Sequence, residues 1–408
     1  MKKKITLYLK SALYNIGQNK VYALFCILGT ALTFIFVTII LQFGNIFLNN
    51  TPPGVNVDRT VMVSCWKKDH QGRYLGYFTK EEIPNIMKHV KGYETYSFTQ
   101  GQPLNLLIND QLKSNYINYV NHDFWNIYQF QFIEGRPFTE KELQTPVAVI
   151  TESCAKLYFK NGSALNQTME AQGITYKVIG VVKDFSFIVV NPVATIWAPY
   201  TFNHFWPNRT RSYDLYIMFP REMPESQMRK NVANAFIAYN KERNREIEIY
   251  PEDFNTVLNG RTNSKGITGM DYELYLMILL LLVIPAVNIV TLNIANTANR
   301  SEEIGIRRAM GAGKMSAFLQ IMTENILLVL TGTLWGVLIV YPIFNAINST
   351  LLTAFVCEGS ILFPELNISI VLFQVLPLSI VFSFLAGGLP AYMVAQRNIA
   401  ETLKGGKK

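Results

Sequence analysis

The chain has 408 residues, half of them apolar and only 16% charged, with a formal net charge of +8. It is more apolar than an ordinary soluble domain. Residues 45–271 carry a net charge of +2 and the remainder +6, so the basic balance reports membrane orientation and contact with anionic lipid, not nucleic-acid binding.

The distribution of charge sets the architecture. No charged residue lies between Lys20 and Asp58, Glu273 and Arg300, Glu324 and Glu358, or Glu365 and Arg397. A helix needs about 20 mostly apolar residues to cross about 30 Å of hydrocarbon, so each window predicts a span: near Val21–Phe43, Leu274–Ala295, Leu327–Ala346 and Ser369–Val394. The expected fold is an α-helical membrane protein with four transmembrane helices and an extracytoplasmic α+β domain inserted between helices 1 and 2.

In chain order, residues 1–20 come first. Ile5, Leu9, Ala12, Leu13 and Ile16 recur at helical spacing among Lys2, Lys3, Lys4 and Lys10. Such a segment is either an amphipathic helix along the cytoplasmic membrane surface or a simple basic anchor flank. The first span, 21–44, is too long for a signal peptide and no A-x-A-like cleavage site follows it, which reads as an uncleaved anchor.

Residues 45–271 then alternate between strands and helices. Strands are predicted at Val61–Trp66, Tyr116–Val120, Pro146–Ile150, Tyr176–Val182, Tyr213–Phe219 and Ile247–Tyr250. Helices are predicted from the Thr79/Glu82 capping-box pair through Lys88, at Glu152–Phe159, and at Glu225–Arg243 entered through Pro224. This describes an α+β domain whose sheet carries helices on one face. His70, His89, His122 and His204 show no metal-ligand spacing, and no nucleophile elbow or H-E-x-x-H appears. Asp123 and Asp184 each sit beside an aromatic in a predicted loop and are weak candidates for acids. Phe124, Trp125, Tyr128, Phe130 and Phe132 read as core, with a surface for an apolar partner as the alternative. Cys26 lies in the first span, and the spacing of Cys65, Cys154 and Cys357 assigns no disulfide.

The second span is assigned to 272–297. It bears Asn288, Asn293 and Asn296, which suit hydrogen bonding between helices; Pro285 and Pro377 suit kinks. None of the four spans has an ionisable group in its core, which favours helix packing over an ion path. The loop 298–316 reads ANRSEEIGIRRAMGAGKMS, with Ser301 as a helix cap, Glu302 and Glu303 in the first turn and Arg307 and Arg308 near the last, as the helix dipole favours. Gly311 closes this short helix, and Ile304, Ile306 and Met310 offer apolar contacts. GAGK at 311–314 is no phosphate loop, because Arg308 and Met315 stand where that motif needs Gly and Ser or Thr. The third span is 317–346 with Glu324 at its entrance, a short extracytoplasmic loop covers 347–366, the fourth span is 367–395, and 396–408 is a tail. Basic clusters at the N-terminus, at Arg300–Lys314 and at Arg397–Lys408 fall on one side, whereas the 347–366 loop has none. The positive-inside rule places both termini in the cytoplasm and 45–271 outside.

EEIGIRRAMGAGK before an apolar span with Glu324 resembles the signature of FtsX/MacB-type ABC transporter permeases. FWNIYQFQFIEGRPF at Phe124–Phe138 and TPVAVITESCAKLYF…YKVIGVVKDF at Thr145–Phe185 resemble the MacB-type periplasmic core domain. LPAYMVAQRNIAETLKGG resembles the family's close, so the likeness covers nearly the whole chain; it departs from MacB in having no fused nucleotide-binding domain. The resemblance implies a non-catalytic subunit of the bacterial inner membrane. It implies a dimer with a second permease copy or a paralogue, and cytoplasmic ABC ATPase subunits that bind ATP and Mg; no cofactor is expected in the chain itself. Glu302, Glu303, Ile304, Gly305, Ile306, Arg307, Arg308 and Gly311 would form the coupling helix seated on the ATPase. ATPase motion would pass to the periplasmic domain by mechanotransmission, for efflux through a periplasmic adaptor and an outer-membrane channel. Regulation of a cell-wall hydrolase and sensing of peptide antibiotics are the alternatives, disfavoured by the long external domain and by the four spans, respectively.

Overall fold

The computed structural model describes residues 2–63, 79–108, 111–159, 162–203, 213–244, 249, 251, 254–262, 276, 279, 280, 283, 310, 311, 313–351 and 359–396. Among these, three helices are long and apolar enough to cross a membrane: Lys20–Leu48, Lys314–Thr350 and Ile368–Met393. Of the predicted second span, only Leu276, Leu279, Leu280 and Val283 are described, all helical and exposed. The strand predicted at Ile247–Tyr250 also falls almost entirely outside the described residues. The chain divides into two compact units, one of Met1–Phe43, Gly269–Phe344 and Glu365–Lys408, the other of Gly44–Thr268 with Asn345–Pro364.

The first unit is helical. α1 (Lys2–Gln18) is followed after one residue by α2 (Lys20–Leu48), and α8 (Lys314–Ala346) and α9 (Leu376–Gln396) follow later in the chain. Ile368–Ile370 and a π-helical turn at Val371–Val375 lead into α9. In α2 the Thr30, Thr33 and Thr38 hydroxyls donate to the carbonyls of Cys26, Gly29 and Phe34 at 2.7, 2.9 and 2.6 Å. Each hydroxyl is thereby satisfied within its own helix, as an apolar medium demands. Phe34 and Val37 of α2 pack with Val329 of α8 and with Phe382 and Ala386 of α9. The Phe34 and Phe382 rings meet edge-on at 5.8 Å.

Small residues set the distance between α2 and α8. A Cβ placed on Gly336 would lie 2.7 Å from the Ala31 carbonyl oxygen, and one on Gly332 would lie 2.7 Å from Thr30 Cβ. Backbones approach this closely only where side chains are absent. At the start of the last helical segment, Gln42 Nε2 donates to the Asn367 carbonyl at 3.1 Å and the Asn367 amide donates to Gln42 Oε1 at 3.3 Å. The Asn367 side chain caps the Ser369 amide at 3.0 Å.

The second unit is built on one mixed sheet of ten strands: β1 (Thr60–Val63), β2 (Thr95–Ile108), β3 (Gln111–Val120), β4 (Phe132–Gly135), β5 (Val147–Thr151), β6 (Thr168–Ala171), β7 (Ile174–Val182), β8 (Ile196–Pro199), β9 (Asp214–Met218) and β10 (Asn255–Thr256). Their order is β10-β1-β9-β2-β3-β8-β5-β7-β4, with β6 paired to β7. The strands β2, β4, β6, β8 and β10 were not predicted. β2 is polar along much of its length and β8 is four residues long, so neither gives a clear alternating pattern.

The helices are α3 (Glu82–Met87), α4 (Phe124–Ile127), α5 (Glu152–Phe159), α6 (Glu225–Glu242) and α7 (Val257–Thr262). The Thr79/Glu82 pair forms half of a capping box, with the Thr79 amide donating to Glu82 Oε2 at 3.1 Å. Both sheet faces are covered, in contrast to the one-sided expectation. α3 and α6 pack on Val61, Val63, Leu215 and Ile217, and α5 and β6 on Ala148, Ile150 and Val178 of that same face. On the opposite face lie Phe124 and Ile127 of α4, Phe138 and Val257, against Val147, Val149 and Trp197. The reason is legible in β5, which is buried at every position and therefore needs cover on both sides.

Gly336→Ala is expected to lower the stability of the full chain in detergent by about 1–3 kcal/mol, the usual range for overpacking a close contact. Gly29→Ala, where a Cβ meets nothing within 4 Å, is the control and should be neutral. Thermal unfolding of the two variants side by side makes the measurement, and equal melting temperatures would remove the close-packing account.

Candidate functional site

Glu302, Glu303, Ile304, Gly305, Ile306, Arg307 and Arg308 lie outside the described residues, as do Asn288, Asn293 and Asn296. Description resumes at Met310 and Gly311. Gly311 has φ +101°, with nothing within 4 Å of a Cβ position, so glycine is required there by backbone conformation and not by crowding. α8 begins three residues on, with the Ser316 and Ala317 amides donating to the Gly313 carbonyl at 3.0 and 3.3 Å. Lys314 Nζ reaches Gln396 Oε1, at the end of α9, at 3.0 Å.

From this point a polar seam runs between α1 and α8. Tyr8 Oη and Ser316 Oγ are 3.1 Å apart, Gln320 Nε2 donates to Ser11 Oγ at 2.9 Å, and Asn15 Nδ2 donates to Glu324 Oε2 at 3.5 Å. Residues 316, 320 and 324 recur every fourth position and so share one helix face, met by 8, 11 and 15. Asn15 and Glu324 are 4% and 6% exposed, and a buried carboxyl needs hydrogen-bonded partners of this kind. Of the seam only Glu324 was singled out in the sequence. The four-residue polar period on an otherwise apolar helix is the signal that would have found the others. The next residue, Asn325, faces another way and donates to the Ser383 carbonyl at 2.7 Å and to its hydroxyl at 3.1 Å. In α1, Ala12 is buried while Leu9, Leu13 and Tyr14 are exposed. One side thus meets helices, and the other is exposed, with Lys10 beside Leu9, Leu13 and Tyr14.

The motifs of the sheet unit prove architectural. Gly135 of FIEGRPF has φ +69°, and a Cβ there would lie 2.0 Å from the Ile179 carbonyl oxygen, so no other residue fits. Arg136 grips Glu142 with both guanidinium arms at 2.7 Å, and the Thr139 amide donates to the same carboxylate at 2.9 Å. These contacts, the Arg136 bonds foremost, pull the Glu142 pKa down to about 2. Phe138 is buried edge-on against Trp125 at 5.3 Å. The aromatics Phe124, Trp125, Tyr128 and Phe130 interlock with Phe185 and Trp197 as core. Asp184 accepts from the Ser153 amide at 2.9 Å and its hydroxyl at 2.6 Å, tying down the first turn of α5. Burial raises its pKa, with the Ser153 bonds opposing. Asp123 is bonded to the side chains of Asn121 and Asn126. Among the described residues no group of three or more His, Cys, Asp or Glu is placed to hold a metal.

The 345–364 segment belongs to this same unit. Ile361 forms a parallel bridge with Ser186 and accepts from the Phe187 amide at 2.8 Å. Asn348 closes the segment on itself, accepting from the Leu362 and Phe363 amides at 3.0 and 3.3 Å and donating to the Phe363 carbonyl at 2.8 Å. Gly359 lies beside Ser153 and Thr195. The short extracytoplasmic loop expected at 347–366 gave no sign of this docking, because main-chain pairing leaves no side-chain signature.

Membrane-length apolar helices together with a two-faced α+β domain define a membrane-type protein that carries a separate α+β unit. The chain belongs to the FtsX/MacB-type ABC transporter permease family. Residues 23–235 match the family model of the MacB-like periplasmic core domain, and residues 275–399 that of the FtsX-like permease C-terminal. Similar proteins include an uncharacterized ABC transporter permease, YvrN, of Bacillus subtilis (strain 168), 23% identical over 61% of this chain and 62% of that one. YknZ, another uncharacterized ABC transporter permease of that organism, is 21% identical over 80% and 79%. The macrolide export ATP-binding/permease protein MacB of Chromobacterium violaceum is 21% identical over 55% of this chain and 34% of its own length. The chain thus spans about 62% and 34% of two curated relatives it matches. Among solved structures, the periplasmic region of MacB from Actinobacillus actinomycetemcomitans aligns at TM-score 0.40 and 15% identity, covering 53% of this chain and 95% of that one. The extracellular domain of YknZ aligns at 0.38 and 16%, covering 48% and 98%.

Glu142→Gln tests the Arg136 fork through pH. The folded-state pKa lies below the ordinary carboxylate value, so the carboxylate's contribution is full above about pH 4.5 and fades as pH falls toward about 2. The stability gap between the chain and its variant should be constant above pH 5, no more than about 1 kcal/mol for so exposed a pair, and should close between pH 4.5 and 2. A gap unchanged by pH would overturn the assignment.

Proposed function

We propose that this chain is the permease subunit of an ATP-driven transporter of the MacB/FtsX type. It sits in the bacterial inner membrane with both termini cytoplasmic and residues 45–271 in the periplasm. Permeases of this family work with a partner ATPase that binds ATP. Here the surface that receives the ATPase is the 302–311 helix, with Arg307 and Arg308 pairing to acidic groups and Ile304 and Ile306 anchoring it. Two permease chains, identical or paralogous, assemble with the ATPases. ATP-driven closure of the ATPases tilts the helices, and the tilt reaches the periplasmic domain, which acts on substrates delivered in the periplasm for export or efflux through an adaptor and outer-membrane channel.

The observation that carries this reading is how chain leaves the apolar helices. α2 continues without a break to Leu48, and Arg261 Nη1 donates to the carbonyl of Ile46 in its last turn at 3.5 Å. The 345–364 connection is itself paired to Phe187 and closed by Asn348. A helix that ends in ordered structure works as a lever, whereas one ending in a slack loop would dissipate its motion. Below, Gly311 and the Lys314–Gln396 bond order the exit of the loop toward α8 and α9, so a push there is delivered to helices already joined.

The test is affinity purification of the intact complex in mild detergent. An ABC ATPase subunit should co-purify with the chain and stimulate ATP turnover. Reversing the sign at Arg307→Glu with Arg308→Glu should reduce the retained ATPase by at least about tenfold, since each broken charge-assisted contact is worth about 1.5–3 kcal/mol, at unchanged yield and melting temperature of the permease. Unaltered retention would sink the coupling assignment; a peptidoglycan hydrolase in the ATPase-bound complex would turn the reading toward regulation.

A further inference from the structure

The second unit holds a cleft of about 440 Å³ between the 187–193 loop and the segment formed by β10 and α7. Its walls are largely apolar, with Phe187, Ile188, Val193 and Val257 among them, and one charged side chain, Arg261, enters it. The guanidinium is mostly buried. Nη2 donates to the Val189 carbonyl at 2.8 Å and Nη1 to that of Ile46 at 3.5 Å. Both partners are neutral carbonyls, and among the described residues no carboxylate forms an ion pair with it. A guanidinium has five N–H donors, so its fork is largely uncommitted. Burial without a counter-ion works against its charge and lowers its pKa. Buried charges are ordinarily paired, because desolvation of a lone one costs several kcal/mol.

Position narrows what the missing anion is. Ile46 lies two residues before the end of α2, a helix of 29 residues, and since about 20 residues cross the hydrocarbon the end of such a helix reaches the headgroup layer. Phosphate groups of lipids are concentrated at that level, and arginine recognises phosphate through paired donors. The apolar walls beside the guanidinium match an acyl chain, which neither free phosphate nor a soluble carboxylate possesses. We propose that this cleft binds an anionic phospholipid of the outer leaflet, its phosphate on Arg261 and an acyl chain along Phe187, Ile188, Val193 and Val257. The bound lipid ties the 187–193 loop, which neighbours the Phe187–Ile361 pairing, to the last turn of α2. It is therefore placed to make the coupling between helices and domain depend on membrane composition. The site stands independently of which ATPase or substrate the protein serves.

Native mass spectrometry of the full chain in detergent provides the test, with phosphatidylglycerol, phosphatidylcholine and inorganic phosphate as separate probes. Phosphatidylglycerol should be retained at least about tenfold more than phosphatidylcholine, and millimolar inorganic phosphate should not displace it. Arg261→Gln should lower that retention about tenfold. Because Arg261 also bonds two carbonyls, Gly260→Leu is the companion variant. Gly260 lines the cleft, is exposed and has nothing within 4 Å of its Cβ position, so a leucine fills the space while Arg261 and the backbone remain. It should show the same loss at an unchanged melting temperature. Equal retention of the two lipids, full displacement by inorganic phosphate, or undiminished retention by Gly260→Leu would each overturn the proposal.

Discussion

The rest of this protein depends on one constraint: inside hydrocarbon the main chain has to satisfy its own hydrogen bonds. That requirement makes a continuous helix of charge-free stretches such as those in Lys20–Leu48 and Lys314–Ala346, and a continuous helix is a stiff rod. Even the hydroxyls obey it, for Thr30, Thr33 and Thr38 bond back into α2, and Thr333 does the same in α8. With neither a hydrophobic force between helices nor charges to pair at mid-membrane, association rests on close approach and a few polar bonds. Gly332 and Gly336 provide the first. Gln42 with Asn367, and Asn325 with Ser383, provide the second. Polar contacts of this kind are few and directional, so they fix which helix faces meet without welding them.

The sheet unit solves the opposite problem. It stands in water, so its stability comes from covering both faces of a long mixed sheet. The residues that look most distinctive in its sequence turn out to serve that purpose. Gly135 lets β4 run against Ile179, Arg136 and Glu142 brace the following turn, and Phe138 and Trp125 fill the space beneath. Asp184, which by type alone is a candidate acid, holds the start of α5. Family resemblance in this domain therefore tracks the requirements of packing, and it carries no statement about what the domain binds.

How much was readable beforehand follows from the same physics. The apolar windows at 21–44, 317–346 and 367–395 were legible because the bilayer filters single residues by charge, and α5 and α6 because helical periodicity and first-turn acids mark them. β2 was not, since its Gln100, Gln102 and Asn105 give no alternation, and one of its two partners, β9, lies far away in sequence. The covering of both faces was visible in VAVIT, an unbroken apolar run, but was weighed as an ordinary strand. In the candidate site, residue type alone draws attention to Gly311 and Glu324. Tyr8, Ser11 and Asn15 escaped because each is unremarkable until its partner on α8 is known. Arg261 escaped for a related reason: only burial distinguishes it from any other surface arginine.

The docked 345–364 segment alters how force would travel in the proposed mechanism. With the sheet unit held only by the chain entering and leaving it, motion of α8 and α9 would reach it weakly. The Ile361–Phe187 pairing gives the connection between those two helices its own attachment to the sheet unit, next to the loop that carries Val189 and so meets Arg261. Asn348 ties the segment to itself, because one side chain satisfies three main-chain groups. The contacts of Arg261 and of Ile361 both fall on the same short stretch, residues 186–193. That stretch packs on the sheet face shared with Trp197 and Val257, where Val189 and Val190 are buried. Two contacts on one buried stretch favour its moving as part of a rigid core, since a core at crystal-like density resists internal strain.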